Sequence, residues 1–277
     1  MVTLMNNRFE CYIINLNKAV DRYDHMVKEC DKYQLKANRF EALTPEKIPD
    51  WIKRLFYDKD GSIYADLKPG EIGCYASHLY LMDMCIKEDK LFLIMEDDLV
   101  LGEGFGFVNE IISELPHDWD FVRMSNETKS AFKKINQYDF GSLGEHWKIP
   151  NNMGAYLVTP KGAKKFINYS NKRFRAIDED MRRVWEHKAV NYSFSPGLAI
   201  TNVFDSTIDA FGDRNNETER SRKVYLKKKE RYFGRLMWWL QRWGMIMVIK
   251  ALVANIKVSI LKKIKGKSSV SPKNYHV

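Results

Sequence analysis

Residues 91–101 most constrain how this chain can fold, because a wholly apolar run there ends in three consecutive carboxylates. The run Leu-Phe-Leu-Ile-Met follows a charged turn and is typical of a strand buried on both faces of a sheet. Glu96, Asp97 and Asp98 then lie together at its end, where they repel one another and lose hydration. A bound divalent cation would offset that cost, and oxygen ligands favour Mg²⁺ or Mn²⁺. A solvated strand end is the simpler alternative.

The segments around this strand predict an α/β fold. Residues 9–16 form a second apolar run, which breaks into polar residues and then a helical pattern, as at the opening of an α/β domain. Residues 68–85 form a glycine-marked turn and an amphipathic helix leading to the acidic strand. Ligands of such folds bind at the carboxyl ends of the strands. The polar side chains expected near the carboxylates are Asn15, Arg22, Ser77 and His78.

Five motifs in order resemble those of the bacterial lipopolysaccharide glycosyltransferases of family 25. They are residues 14–16 with 21–22, 70–74 with 77–78, 96–98, 152–159 with 162–163, and 177–181 before Trp185. The resemblance covers residues 8 to 210. It implies a GT-A type nucleotide-sugar-binding fold with a Rossmann-like mixed sheet, a UDP-hexose donor (galactose or glucose) and a divalent metal. It also implies a saccharide acceptor on lipooligosaccharide and inversion at the transferred sugar.

Site roles follow from this resemblance together with strand geometry. Alternation along the strand sends Glu96 and Asp98 to one face, so we expect Asp98 to be the principal Mn²⁺ or Mg²⁺ ligand and Glu96 to contact metal or ribose. Asp97 would point to the other face, where a structural capping role is the alternative. The expected donor contacts are Asn15, Arg22, Ser77, His78, Glu96, Asp97, Asn152 and Gly154. The simpler alternatives are a surface arginine for Arg22, a core histidine for His78 and turn chemistry for Asn152.

Asp178 and Asp180 are the candidates for the catalytic base. Both lie in the acidic segment 177–180, which opens a predicted helix. An acidic first turn is ordinary helix capping, but three carboxylates exceed what a cap needs. An inverting transfer requires one carboxylate opposite the leaving group to accept the proton of the acceptor hydroxyl. The sequence leaves both residues open for this role.

The charge of the chain divides sharply near residue 220. Residues 220–277 contain sixteen Lys or Arg and one acid, a net charge of +15, whereas residues 1–219 carry −6. The basic segment is also apolar and includes Trp238, Trp239 and Trp243. We expect amphipathic helices in a membrane interface, with Trp at headgroup level and Lys or Arg against anionic lipid. A helical pair packed on the domain and a nucleic-acid-binding segment are the alternatives.

We therefore predict a catalytic domain over residues 1–219 and a basic membrane-associating extension over residues 220–277. Residues 119–124 are predicted to form a short strand and residues 129–146 a mobile loop. The N-terminus lacks the apolar core of a signal peptide. The four cysteines have no close pair and no CxxC spacing, so we expect reduced core residues and no zinc site: Cys11, Cys30, Cys74 and Cys85.

These features favour an enzyme on the cytoplasmic face of the inner membrane, where nucleotide sugars are made, with no nucleic-acid partner. Two other classes of function stay open. A phosphoryl-transfer enzyme could use Asp97 as its nucleophile. A non-catalytic membrane adaptor could use the basic extension alone, with the α/β domain as scaffold.

Overall fold

The fold is built on a mixed sheet with helices on both faces. A computed structural model describes residues 8–63, 67–125, 128–201, 204 and 217–265, with the side chains of the last segment described for residues 232–261. The strands are β1 (Phe9–Asn15), β2 (Ala37–Glu41), β3 (Leu91–Glu96), β4 (Val100–Leu101), β5 (Phe121–Arg123), β6 (Phe132–Tyr138), β7 (Gly141–His146), β8 (Ala155–Val158), β9 (Asn191–Ser195) and β10 (Ala199–Ile200). The helices are α1 (Val20–Asp31), α2 (Asp50–Lys53), α3 (Pro69–Glu88), α4 (Val108–Glu114), α5 (Pro160–Asn168), α6 (Ile177–Met181), α7 (Val184–His187) and α8 (Glu217–Lys265).

The sheet has a parallel half and a largely antiparallel half. Eight strands lie in the order β2-β1-β3-β8-β5-β9-β7-β6, and β4 pairs separately with β10. Strand β1 is parallel to both β2 and β3, whereas β8 runs antiparallel between β3 and β5. The predicted α/β class is confirmed, and the mixed sheet agrees with the predicted GT-A type fold.

Strand β3 is buried on both faces, as its composition predicts. Leu93 and Met95 join one core with residues of α1 and α4, whereas Phe92 and Ile94 join a second core with residues of α3 and α5. Alternate side chains of a strand point to opposite faces, so a strand inside a two-sided core must be apolar at every position. The acidic residues that follow are held at a fixed place because the strand itself cannot shift.

The mobile loop predicted for residues 129–146 is wrong, because this segment forms the hairpin of β6 and β7. Every residue of β7 is buried between β6 and β9, although the strand reads Gly-Ser-Leu-Gly-Glu-His. A Cβ on Gly144 would lie 2.7 Å from the ring of Phe132, so the small residue permits close strand packing. Low apolar content therefore hides a buried strand, next to the edge strand β6, from a pattern based on hydrophobicity.

The C-terminal helix α8 packs on the domain along one face. It bends at Gly244, whose φ of 76° lies in the left-handed region that glycine adopts readily. Trp239 and Trp243 are buried in a cluster with Trp147, and their indole nitrogens donate hydrogen bonds to the Trp147 carbonyl and to Glu145 Oε2. The prediction that these two tryptophans lie at lipid headgroup level is therefore wrong. The predicted boundary at residue 220 falls within the first turn of α8.

The opposite face of α8 is apolar and exposed. Its exposed side chains are Met245, Ile246, Ile249, Leu252, Val253, Ile256 and Ile260. Residues Tyr232–Leu261 are long and apolar enough to cross a membrane by length and composition alone, with a mean hydropathy of 1.8 over an 18-residue window. The bend at Gly244 interrupts this stretch.

Candidate active site

A cavity of about 330 Å³ opens at the carboxyl ends of β1 and β3, with α3 and α6 in its wall. It brings together most of the residues that the sequence predicts for the site. Those in its lining are Asn15, Arg22, His78, Glu96, Asp97, Asp98, Asn152 and Asp178. Because Ile14 is in register with Glu96 on the neighbouring parallel strand, the polar residues that follow each strand meet at the same edge.

The three carboxylates share the cavity instead of alternating between two faces. Strand β3 ends at Glu96, and residues 97 and 98 form a bend. The expected separation of Asp97 from its neighbours is wrong, because side-chain alternation holds only while the backbone is extended. Glu96, Asp97 and Asp98 all line the cavity.

Asp97 binds two of the predicted donor residues. Its Oδ1 lies 2.5 Å from Arg22 Nη2, and its Oδ2 accepts a hydrogen bond of 2.6 Å from Asn15 Nδ2. Asn15 Oδ1 in turn accepts from Arg39 Nε at 3.0 Å. Burial raises the pKa of Asp97, while the Arg22 cation and the Asn15 hydrogen bond act to lower it. This network fixes the Arg22 guanidinium at the cavity edge.

Glu96 faces two side chains from α3. Its Oε1 lies 3.4 Å from His78 Nε2 and 4.0 Å from Cys74 Sγ. The other ring nitrogen of His78, Nδ1, is 2.9 Å from the hydroxyl of Tyr156. Tyr156 lies on β8, and burial raises the pKa of its hydroxyl. The imidazole is thus held between a buried phenol and a carboxylate of the cavity.

Ser77 and Gly154 lie behind the cavity wall and do not line it. The Ser77 hydroxyl is fully buried, accepts from the Leu43 N–H at 2.8 Å and donates to the Gly73 carbonyl at 2.8 Å. Gly154 is needed for packing, since a Cβ there would lie 2.8 Å from both Asn152 Oδ1 and Thr201 Cγ2. The predicted direct donor contacts of these two residues therefore have no geometric support, because other protein atoms surround them.

The two candidate bases have opposite environments, although both belong to α6. Asp178 lines the cavity, and burial raises its pKa. Asp180 is fully buried, accepts from the Tyr75 hydroxyl at 2.8 Å and forms an ion pair with Arg175. Asp180 is outside the cavity lining and already bound, so the structure contradicts its candidacy as the base.

Sequence patterns miss two buried residues under the site, Tyr156 and Arg123. The Arg123 guanidinium is fully buried at the end of β5 and donates to the sulfur of Met153, which lines the cavity. Burial lowers the pKa of Arg123 to about 10, while the charges of Asp178 and Glu96 act to raise it. An arginine inside an otherwise apolar strand was the available signal, since such a charge is rarely buried without a reason.

Comparison with known proteins identifies the class. Residues 9–181 match the model of glycosyltransferase family 25 (LPS biosynthesis protein), and the chain belongs to this family. The acidic cavity at the strand ends is therefore the candidate active site of a glycosyltransferase, and the predicted family is confirmed.

Individual proteins similar to this chain include both curated relatives and a solved structure. A protein of Haemophilus influenzae described as a glycosyltransferase is 28% identical, over 81% of this chain and 84% of its own length. The lipooligosaccharide biosynthesis protein lic2B of Haemophilus influenzae is 27% identical, over 79% of this chain and 85% of its own length. Procollagen galactosyltransferase 2 of mouse is 24% identical, over 57% of this chain and 27% of its own length. A solved glycosyltransferase involved in glycosylation of the major capsid of PBCV-1 overlaps 72% of this chain and 94% of its own, with 8% identity and a TM-score of 0.39.

Proposed function

We propose that the chain transfers a hexose, galactose or glucose, from a UDP-sugar to a saccharide of lipooligosaccharide, with inversion and with a divalent metal. The observation that carries the proposal is the single cavity that gathers Arg22, Asp98 and Asp178 at the ends of two parallel strands. The names of the relatives support the acceptor class and, through the mouse protein, galactose as the first donor to test.

The residues of the cavity fit Mn²⁺ or Mg²⁺. Asp98 and Glu96 offer carboxylate oxygens, the donors that these hard cations prefer. We assign the metal to Asp98 as principal ligand, with Glu96 beside it. The bound cation would supply the charge that offsets the diphosphate leaving group. Residues 1–219 carry a net charge of −6, so a phosphate ligand gains from a cation at this place.

The side chains of the cavity divide the remaining work. Arg22, held by Asp97, presents a fixed cation to a diphosphate, and fixed charges stabilise a leaving group without reorganisation. Asp178 accepts the proton of the acceptor hydroxyl. Burial raises its pKa and so makes its ionised form a stronger base than an exposed aspartate. Asn152 remains a proposed sugar contact at the same wall.

Calorimetry of UDP binding tests the metal assignment. We expect wild-type protein to bind UDP more tightly with Mn²⁺ than without it, and Asp98→Asn to lose this difference. Asp83→Asn is the matched control, because Asp83 pairs with Lys87 on the surface of α3 and is outside the cavity lining. UDP affinity that ignores both Mn²⁺ and Asp98→Asn would contradict the assignment. Release of UDP from a panel of UDP-sugars, with isolated lipooligosaccharide as acceptor, then identifies the hexose.

We further propose that α8 lies on the anionic cytoplasmic surface of the inner membrane. Its exposed apolar residues recur every three or four positions, so they form one stripe, with Ile246 74% and Ile256 60% exposed. Lys250 and Lys257 are exposed beside the stripe. An apolar stripe flanked by lysines suits an anionic bilayer surface, and the net charge of +15 in residues 220–277 favours the same partner.

Co-sedimentation with vesicles tests this attachment. We expect wild-type protein to bind vesicles of phosphatidylglycerol and phosphatidylcholine, and Ile246→Glu and Ile256→Glu each to weaken binding. Ile135→Glu on β6 is the control, since Ile135 is also an exposed isoleucine but lies on another element. High salt should weaken but not abolish wild-type binding, because the apolar contribution is not screened. Equal sedimentation of all three variants with the wild type would remove the membrane role of this face.

A further inference from the structure

A second group of potential metal ligands lies in the cavity and differs in chemistry from the carboxylates. Cys74 Sγ, His78 Nε2 and Glu96 Oε1 offer ligand atoms that all lie within 4.8 Å of one another. Cys74 and His78 are four residues apart on α3 and so share one face of the helix. Glu96 approaches them from the end of β3. The group therefore joins two rigid elements instead of depending on a loop.

The histidine of this group is already oriented. Its Nδ1 lies 2.9 Å from the Tyr156 hydroxyl, so the ring cannot turn Nε2 away from Glu96 without losing that hydrogen bond. Histidines that ligate metals commonly use their second nitrogen in this way, because the hydrogen bond fixes both tautomer and ring direction. Both His78 and Tyr156 are fully buried, which restricts the imidazole further.

The distances suit a small tetrahedral cation. The His78 nitrogen and the Glu96 oxygen are 3.4 Å apart, and the Cys74 sulfur and that oxygen are 4.0 Å apart. Tetrahedral Zn²⁺ with bonds of about 2.0–2.3 Å places its ligand atoms roughly 3.3–3.8 Å from one another. Small side-chain rotations would close the remaining difference.

The ligand types select zinc over the metal proposed for transfer. Thiolate and imidazole are softer donors than carboxylate, and they favour Zn²⁺ where an all-oxygen set favours Mg²⁺ or Mn²⁺. Three protein ligands with a fourth position open to a cavity is the usual form of a zinc site that can exchange its outer ligand. Cys74 is the half-buried cysteine of the four, whereas Cys11, Cys30 and Cys85 are buried.

We propose that Cys74, His78 and Glu96 form a Zn²⁺ site within the active-site cavity, and that zinc there inhibits the enzyme. Binding exchanges the thiol proton of Cys74 for the metal, so one proton is released for each ion bound. Zinc bound at Glu96 Oε1 would take this oxygen from the catalytic metal, and zinc would therefore compete with Mn²⁺. The inhibition depends on the proposed transferase function, whereas the binding of zinc does not.

Cobalt absorption spectroscopy tests the binding. Co²⁺ replaces Zn²⁺ in such sites, and a bound thiolate gives a charge-transfer band in the near ultraviolet. We expect the band in wild-type protein and in Cys85→Ser, and its absence in Cys74→Ser. Cys85 is the matched control because it lies on α3, with its Sγ donating to the Lys90 carbonyl, and outside the cavity lining. Wild-type protein without the band would overturn the proposal whatever the variants do.

Zinc titration by calorimetry gives the magnitude. Loss of a supporting hydrogen bond at a zinc histidine weakens binding about 10–100-fold, so loss of the direct ligand in Cys74→Ser should weaken it by at least that much. Thermal melting of each variant checks that it is folded. Equal zinc affinity in wild-type protein and folded Cys74→Ser would contradict the site.

A separate activity measurement distinguishes this proposal from the function that it regulates. We expect micromolar to millimolar Zn²⁺ to slow UDP release by the wild-type enzyme at fixed Mn²⁺, and added Mn²⁺ to reverse this inhibition. The same Zn²⁺ concentrations should inhibit Cys74→Ser much less. A cobalt band without any transfer would leave the site standing and refute the proposed function. Transfer without the band would refute the site alone, and transfer with the band but without inhibition would refute the regulation.

Discussion

At the scale of single residues, the decisive contrast is between two aspartates of α6. Asp178 lines the cavity, whereas Asp180 is buried between Tyr75 and Arg175. We predict that Asp178→Asn lowers kcat by about 10²–10⁴-fold with UDP affinity nearly unchanged, because a general base acts only in the transition state. Steady-state kinetics and UDP calorimetry on the same preparation provide the measurement. A near-normal kcat in Asp178→Asn would place the base elsewhere.

Asp180→Asn should instead destabilise the fold. The substitution leaves the Arg175 guanidinium without one of its two carboxylate partners, the other being Glu186. Removing one member of a buried ion pair costs about 3–5 kcal/mol of unfolding free energy. Urea denaturation of this variant beside Asp178→Asn measures the difference. Equal stability of the two variants would mean that the buried pair contributes nothing.

The pH dependence of catalysis follows from the burial of Asp178. Its pKa is raised, so the carboxylate takes up a proton at a higher pH than an ordinary aspartate near 3.9. The base works only when ionised. Activity should therefore be complete above the raised pKa and fall as the pH drops through it. A profile of kcat/KM against pH should place the acidic limb above that of an exposed aspartate; a limb at or below 3.9 would be inconsistent with this base.

The sequence predicts those features of the site that depend on local order along the chain, but not those that depend on contacts between distant residues. It correctly brings together the polar residues after β1 and β3, since parallel strands end at a common edge. It cannot choose between Asp178 and Asp180, because the choice depends on Arg175 and on Tyr75 from a distant helix. It also misplaces Ser77, whose hydroxyl is bound by backbone atoms that only the folded chain brings near.

At the scale of elements, α7 carries a histidine that should make stability depend on pH. His187 is buried in the described structure, with Nε2 3.1 Å from the Met181 carbonyl, and burial lowers its pKa to about 4. Between the unfolded-chain value of 6.5 and that pKa, the unfolded state binds the proton and the folded state does not. The stabilisation is thus complete above pH 6.5 and is lost as the pH falls towards 4.

The measurement is the midpoint of urea denaturation at a series of pH values between about 7.5 and about 5. We expect the wild-type midpoint to fall with decreasing pH and the fall to be smaller in His187→Gln, which removes the titrating group. His117→Gln is a control substitution of the same type at an exposed histidine. An equal pH slope in His187→Gln and wild-type protein would contradict the assignment.

Some elements of this fold can be predicted from their sequence, and others cannot. Strand β3 is correctly predicted because burial on both faces demands a continuous apolar run. The β6–β7 hairpin is missed because β7 is buried through small residues such as Gly144, which leave no hydrophobic signal. The face of α8 that packs inward is equally hidden, since both faces of its second half are apolar.

At the scale of the whole molecule, the C-terminal helix belongs to the folded body. Trp239 and Trp243 share a buried cluster with Trp147 and with Val184 of α7. Deletion from residue 217 onward should therefore expose this cluster, lower the Tm and cause aggregation. Deletion of residues 266–277 alone is the control, because it leaves Trp239 and Trp243 in place. Differential scanning fluorimetry and light scattering compare the two proteins, and a stable, monomeric protein lacking residues 217–277 would refute the packing.

The contacts of α8 would also set the distance between the cavity and a bilayer on which this helix lies. Helix α8 is bound to β7 through Glu145 and to α7 through Trp185, against which Gly234 packs without room for a Cβ. A flexible linker to a membrane helix would let the enzyme move relative to the bilayer, whereas these contacts hold α8 in one position on the domain. On a bilayer the cavity would stand at one height and one tilt above the headgroups. Such an enzyme would select acceptors by length, because only glycan chains whose growing end reaches that height would be extended.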